Sequence, residues 1–342
     1  MNIAEIQKGI QQLRKQNIDF IAVSNSEWYS LFKDEIRNSI AIEGVFANRN
    51  ELLDVLEKNK RADNEKTAAI LGYFEAASSM YEYAHNQYKE QEFILRISDI
   101  KQIHTLLMKY EKELGTYTGD LGGFRKGDIE VARATFKPIG VFYVRNVMEL
   151  FVKWIDTKFN DKKYDRLLLA AASHVWFETI HPFRDGNGRV GRILLSYIFI
   201  GCGFVNIAIK GISKSQREKY YKALEVCDDC FEKIHSDIEQ GKDVSIRDVD
   251  NYMKGVDFTA FKDILKERLE ESIKRLQSSK KIRLDKDAVC SLRDLAGAFN
   301  YSQDYLRNLI NRKQLKAIKR GKLWYVRVRD MQRYMDRLSK KK

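Results

Sequence analysis

Apolar positions recur at the three- and four-residue intervals of a helix through residues 3–102, and Gly44 marks the clearest break. The pattern then changes. Between residues 116 and 144, short alternating segments lie between glycines, among them Gly122-Gly123-Phe124-Arg125 and Asp128-Ile129-Glu130-Val131-Ala132. That predicts a β-hairpin or loop inside an otherwise helical domain. Residues 164–179 and 189–200 are apolar enough for two buried helices, 213–240 reads as a further helix, and 246–278 as a charged one. Residues 291–299 and 301–310 read as helix, short turn, helix, with Ser302 as N-cap. A basic hairpin turning at Gly321 follows, and residues 330–338 form a closing helix. The expected divisions are an N-terminal helical region (1–100), a core (101–245), a helical linker (246–280) and a terminal module (281–342).

Composition sharpens this outline in three places. Only two prolines occur, Pro138 and Pro182, so few breakers argue for a mainly α protein in which each proline marks a special turn. The net charge is +13, yet residues 281–342 hold 18 Lys and Arg against 6 Asp and Glu, a balance of +12 that leaves +1 for the rest. A basic excess packed into one module is a nucleic-acid signature. Four cysteines without a secretion signal point to a reduced, cytoplasmic setting, and Cys227 and Cys230 read as two thiols on a helix. The uncharged run 193–209 is cut by Gly201 and Gly203, so it reads as a buried helix and its exit, with no membrane partner.

The segment joining the two apolar helices carries the chemistry: His181-Pro182-Phe183-Arg184-Asp185-Gly186-Asn187-Gly188-Arg189-Val190-Gly191-Arg192. Glycines ahead of a helix let backbone N–H groups turn toward an anion, and the helix dipole adds to the attraction. Asp185 offers a hard oxygen ligand of the kind Mg²⁺ takes beside phosphates. Arg189 and Arg192, three residues apart, can fork onto phosphate oxygens. His181 stands just before the loop, placed to take a proton from an attacking hydroxyl. A base, a metal ligand, an anion nest and two guanidiniums make a complete kit for phosphoryl-type transfer.

This segment resembles the signature of the Fic family, H-P-F-x-[D/E]-G-N-G-R-x-x-R, at every specified position. The resemblance implies a helical bundle and transfer of AMP from ATP to Ser, Thr or Tyr hydroxyls of target proteins, the protein itself included. It implies His181 as general base, Asp185 on Mg²⁺ and Asn187 on the α-phosphate. The backbone of Gly186 and Gly188 would form the anion hole, with Arg189 and Arg192 on the phosphates. Phe183 reads as a core anchor. The glycine-marked stretch resembles the family's flap, which pairs with a target segment near Ala134 and Phe136. Tyr220 and Tyr221 match the helix that lines the adenosine pocket, and aromatic core packing explains them equally well.

Upstream, Ser39-Ile40-Ala41-Ile42-Glu43-Gly44 resembles the family's inhibitory motif, [S/T]-x-x-x-E-[G/N]. Ser39 and Glu43 are i and i+4 on one helix face, and Gly44 suits the residue that ends it. A Glu43 carboxylate aimed at Arg192 would occupy the place of the γ-phosphate. The terminal module is similar to winged helix-turn-helix domains, with the second helix in the major groove and the wing lysines, Lys319 and Lys322, on phosphates. A basic protein-docking surface is the competing reading of that module. Two other functions stay open: removal of AMP by the same site, with Glu43 positioning a water, and a DNA-binding regulator whose core senses nucleotide. Monomer and homodimer both remain open.

Overall fold

The computed structural model describes residues 3–16, 21–23, 25–58, 60–131, 134, 136–278, 288–299, 301–321 and 323–339. The chain divides into two compact units, Met1–Lys274 and Arg275–Lys342. The first opens with α1 (Ile3–Gln16), α2 (Ser26–Ile42), α3 (Arg49–Glu57), α4 (Glu65–Glu90) and α5 (Ile97–Glu113). It continues with α6 (Val144–Asn160), α7 (Arg166–Ile180), α8 (Asn187–Gly201), α9 (Lys214–Glu239) and α10 (Ile246–Met253), and contains the start of α11 (Thr259–Ser278).

The centre of the first unit is the pair α7 and α8, both apolar around most of their circumference and therefore buried. Against them pack α4 and α5, whose close approach depends on Gly72, since a Cβ there would lie 2.0 Å from the Leu107 carbonyl oxygen. On another side of α8, α2 is anchored by a buried carboxylate. Glu35 accepts hydrogen bonds from Tyr73, Tyr81, Ser196 and Asn206, and Asn206 in turn accepts from the Trp28 indole. Gly44, at φ +86, ends α2 with a Schellman turn in which Val45 N–H reaches the Ile40 carbonyl at 3.0 Å.

Three departures from the sequence reading have physical causes. The described residues between 116 and 144 form no strand, so the hairpin flap is not paired; a single 3-10 turn, Val141–Tyr143, closes the stretch. Its backbone donors are taken elsewhere: Gly122 by His104, Arg125 by the Pro182 carbonyl, Lys137 by Glu232, Gly140 by Glu239 and Val141 by Asp128. Ala132, Arg133 and Thr135, part of the expected target-pairing strand, lie outside the described residues. The charged helix expected over 246–278 is two helices, because Gly255 turns the chain at φ +85 and Asp257 caps the next helix through Thr259 N–H at 2.9 Å. The third departure is α6, which the sequence reading left unassigned.

The second unit has a core of its own. After β1 (Val289–Ser291) come α12 (Leu292–Phe299), α13 (Gln303–Asn311), β2 (Ile318–Arg320), β3 (Leu323–Arg327) and α14 (Val328–Ser339). The strands form an antiparallel sheet in the order β1-β3-β2, with Cys290 opposite Val326 and Lys319 opposite Trp324. Leu292, Leu295, Leu306, Leu309, Val326 and Met331 close its core. Ser302 caps α13 through Tyr305 N–H at 3.0 Å, and Gly321 turns the hairpin at φ +60. β1 was missed because residue 291 reads as a helix start. Residues 279–287 and Lys322, parts of the expected linker, module and wing, lie outside the described residues.

Candidate active site

The loop between α7 and α8 is held in an uncommon backbone path. His181 caps α7 at φ +50, a left-handed conformation that non-glycine residues adopt only when their surroundings hold them there. Its N–H reaches the Phe177 carbonyl at 3.0 Å, and its own carbonyl accepts from Arg125 Nε at 3.0 Å. Two residues on, Phe183 is fully buried and stacks on the His104 ring at 4.0 Å. Gly186, at φ +78, then turns the chain into α8. Its left-handed conformation favours glycine, and a Cβ there would also have to displace Met108 Sδ, 2.7 Å away.

The ring of His181 is oriented for proton acceptance. Its Nδ1 lies 3.1 Å from the Glu178 carbonyl, which can only accept, so Nδ1 carries the hydrogen and Nε2 is left bare. Burial is the largest influence on this imidazole and lowers its pKa, with the Arg125 charge acting in the same direction, so the ring is neutral at neutral pH. His104 has the opposite tautomer, for a different purpose. It accepts the Gly122 N–H on Nδ1 at 2.9 Å and donates from Nε2 to the Asp185 carbonyl at 3.2 Å, tying the 116–144 stretch to the loop.

A cleft of about 1040 Å³ opens beside the loop, and His181, Asp185, Gly186, Asn187, Gly188 and Arg192 line it together with Tyr220 and Tyr221. Glu43 enters from α2. Its carboxylate forms a salt bridge with Arg192 Nη2, while Ser39 Oγ accepts from Arg192 Nε at 2.8 Å. A Cβ at Gly188 would lie 2.5 Å from Glu43 Oε1, so the absence of a side chain there is what admits the carboxylate to the head of α8. Burial alone would raise the pKa of Glu43. The charge and hydrogen bond of Arg192, with Arg189 and His181 behind them, outweigh burial and hold the group below its ordinary range.

Two expected phosphate contacts are not brought to the cleft as free groups. Arg189, buried, is paired with Glu111 and lies beside Met108 Sδ, both on α5. Three residues apart, the two arginines differ by only about 60° around α8, yet Arg189 meets α5 there and Arg192 meets Glu43 and Ser39. Asn187 lines the cleft, but its side chain clasps Phe183, accepting its N–H at 2.9 Å and donating to its carbonyl at 2.8 Å. Arg192 and the first N–H groups of α8, which have no intrahelical acceptors, remain at the cleft as groups that could receive an anion.

On the far wall α9 presents Tyr220, Tyr221, Leu224 and Asp228. Tyr220 is both packed and in the cleft: its hydroxyl meets His174 Nε2 at 2.6 Å. Tyr221 is half-exposed, with its hydroxyl 3.4 Å from the Ile42 carbonyl. Burial pushes the Glu178 carboxyl up to about 8 and the Asp228 carboxyl up to about 7, so this wall is less anionic than its composition. Among the described residues no group of three or more His, Cys, Asp or Glu side chains could hold a metal ion. Asp185 is exposed, and its Oδ1 accepts Gly186 N–H at 2.5 Å. One hard oxygen with waters and substrate phosphates fits Mg²⁺ and does not fit a protein-only cage.

Five residues of this neighbourhood escaped the sequence reading: His104, Glu111, Arg125, Glu178 and Asp228. Glu178 and Asp228 could have been suspected from helical spacing to His181 and Tyr221. The other three act across the chain through α5 or the 116–144 stretch, and no local spacing marks them.

Comparison with known proteins agrees with this geometry. The Fic/DOC family pattern matches residues 94–199, a span that runs from α5 into α8 and includes the whole loop. A protein of Aquifex aeolicus named as a probable protein adenylyltransferase is 27% identical over 323 residues, covering 94% of this chain and 89% of its own. The protein adenylyltransferase Fic of Aedes aegypti is 27% identical over 201 residues, but the match spans only 36% of its length. A Fic-domain-containing signaling protein from Bacteroides thetaiotaomicron shares the fold, with TM-score 0.61 and 20% identity over 81% of this chain and 97% of its own.

Proposed function

We propose that this chain is an autoinhibited protein adenylyltransferase, moving AMP from ATP to Ser, Thr or Tyr hydroxyls of target proteins and of itself. The observation that carries the proposal is the cleft in which a neutral His181 with a bare Nε2 stands beside the head of α8 and Arg192. Nε2 takes the proton of the target hydroxyl as its oxygen bonds to the α-phosphorus. The bond from that phosphorus to the β-phosphate oxygen breaks, and pyrophosphate leaves. Arg192 and the first N–H groups of α8 hold the departing phosphates. Asp185 would hold Mg²⁺, which neutralises phosphate charge when bound.

Glu43 makes this a resting state. Its carboxylate takes the guanidinium that the γ-phosphate needs, so ATP binds in an arrangement unsuited to in-line attack. The target docks along the 116–144 stretch near Ala134 and Phe136, both of which line the cleft. In the second unit, α13 exposes Gln303 and Arg307, and the hairpin exposes Lys319 and Arg320, an arrangement that supports a DNA-binding winged helix-turn-helix. The decisive test is α-labelled ATP incubated with the Glu43→Gly protein, alone and with a lysate. Covalent label expected there must vanish in Glu43→Gly/His181→Ala, whereas equal labelling by both proteins overturns the assignment.

A further inference from the structure

One buried side chain ties the loop that carries His181 to the stretch that lines the cleft. The Arg125 guanidinium is a planar fork that can only donate. Nε donates to the His181 carbonyl at 3.0 Å, Nη1 to the Gly127 carbonyl at 3.1 Å, and Nη2 to the Ile139 carbonyl. Its own backbone N–H closes the set on the Pro182 carbonyl at 2.9 Å. Gly127 and Ile139 are the two feet of the stretch whose middle, Glu130, Val131, Ala134 and Phe136, lines the cleft. Asp128, 3.5 Å from Nη1, also accepts Val141 N–H and so ties the feet together.

We propose that Arg125 is a positioning residue that couples the target-holding stretch to the orientation of His181. The grip falls on the peptide between His181 and Pro182. Its carbonyl direction fixes the ψ of a histidine already in the left-handed region, and ψ decides where the ring stands relative to the cleft. A guanidinium that grips this carbonyl and both feet at once makes the two placements one. A target laid along the stretch is thereby registered against Nε2. The coupling rests on His181 being the base and on the stretch holding the target.

The test uses the full chain in the Glu43→Gly background, with Arg125→Ala, Arg125→Lys and His181→Ala, and reads self-labelling from α-labelled ATP per folded molecule. Arg125→Ala is expected to slow labelling roughly 10–100-fold, the scale of a misplacement near 1 Å. ATP affinity should stay within about threefold, because no nucleotide-holding group is changed. The pH profile supplies a readout that mere destabilisation would not move. The groups that face His181 are Glu178 through its carbonyl, Glu43, Asp185 and Arg125, and of these only Arg125 adds a positive charge. Removing it raises the imidazole pKa, so the acid limb of the rate moves to higher pH. Arg125→Lys keeps the charge and one donor, so it should leave the limb in place and recover part of the rate. Parent-like labelling by Arg125→Ala, or a loss with no movement of the limb, overturns the proposal. If that variant does not fold, Arg125→Lys decides: a rate equal to the parent's overturns it. If the Glu43→Gly parent fails to label, or His181→Ala labels equally, it is the functional reading that fails instead.

Discussion

Removing the Glu43 carboxylate should release activity by an amount the contact itself sets. Arg192 is 4% exposed at its side chain, whereas Glu43 is 37% exposed, so the pair is half desolvated. A hydrogen bond to a charged group contributes about 1.5–3 kcal/mol, and the exposure of Glu43 screens its charge and favours the lower end. At about 1.4 kcal/mol per factor of ten, Glu43→Gly should raise the labelling rate about 10–30-fold. Glu43→Gln keeps a shape that fills the space above Gly188 but loses the charge, and should gain less. Initial rates from low to saturating ATP distinguish two modes of restraint. If Glu43 leaves ATP bound but misaligned, the gain appears in kcat and survives saturation. If it only competes for ATP, the gain disappears at saturation, and the misalignment reasoning is wrong. A variant within about twofold of the parent at every ATP concentration refutes inhibition by this contact altogether.

Other positions test the scaffold and the second unit. Glu35→Gln can keep an acceptor on Asn206 only by turning its NH2 toward the Tyr73, Tyr81 and Ser196 hydroxyls that now donate, so a cost of about 1–3 kcal/mol should appear as a lowered unfolding midpoint. Burial pushes the Glu35 carboxyl from 4.5 up to about 7, so the folded state keeps a proton that the unfolded chain has lost, and stability should fall as pH rises between those values. A Glu35→Gln midpoint with the same pH slope as the parent would contradict this. Gly72→Ala forces α4 and α5 apart and should cost about 1–3 kcal/mol or more by chemical denaturation, while Gly44→Ala, with no neighbour near its Cβ, should be strained only by its positive φ. In binding-site selection, changing Gln303 or Arg307 should erode discrimination between DNA sequences, and changing Lys319 should weaken all of them alike. A selection that yields no preferred site at physiological salt favours protein docking for this unit.

The loop was legible because it is contiguous: twelve neighbouring residues hold the proposed base, the proposed metal ligand and the turn. Ser39 and Glu43 were legible for the same reason, lying on one face of one helix. What stayed hidden was decided by partners far along the chain. Arg189 pairs with Glu111 on α5 and Asn187 clasps Phe183, contacts that no local spacing announces. The 116–144 stretch had the alternation of a hairpin, but alternation does not show where backbone donors go, and here side chains from α5 and α9 take several of them. Gly255 was visible in the sequence and still passed over, because charged residues on both sides continue a helical pattern across it.

The central claim is that the bond broken lies between the α- and β-phosphates, with AMP carried to protein. It is tested most directly by incubating the Glu43→Gly protein in parallel with ATP labelled at the α-phosphate and ATP labelled at the γ-phosphate, then measuring covalent label after denaturation. The account predicts incorporation from the α-label alone, with pyrophosphate released. Incorporation from the γ-label, or from neither, would contradict it.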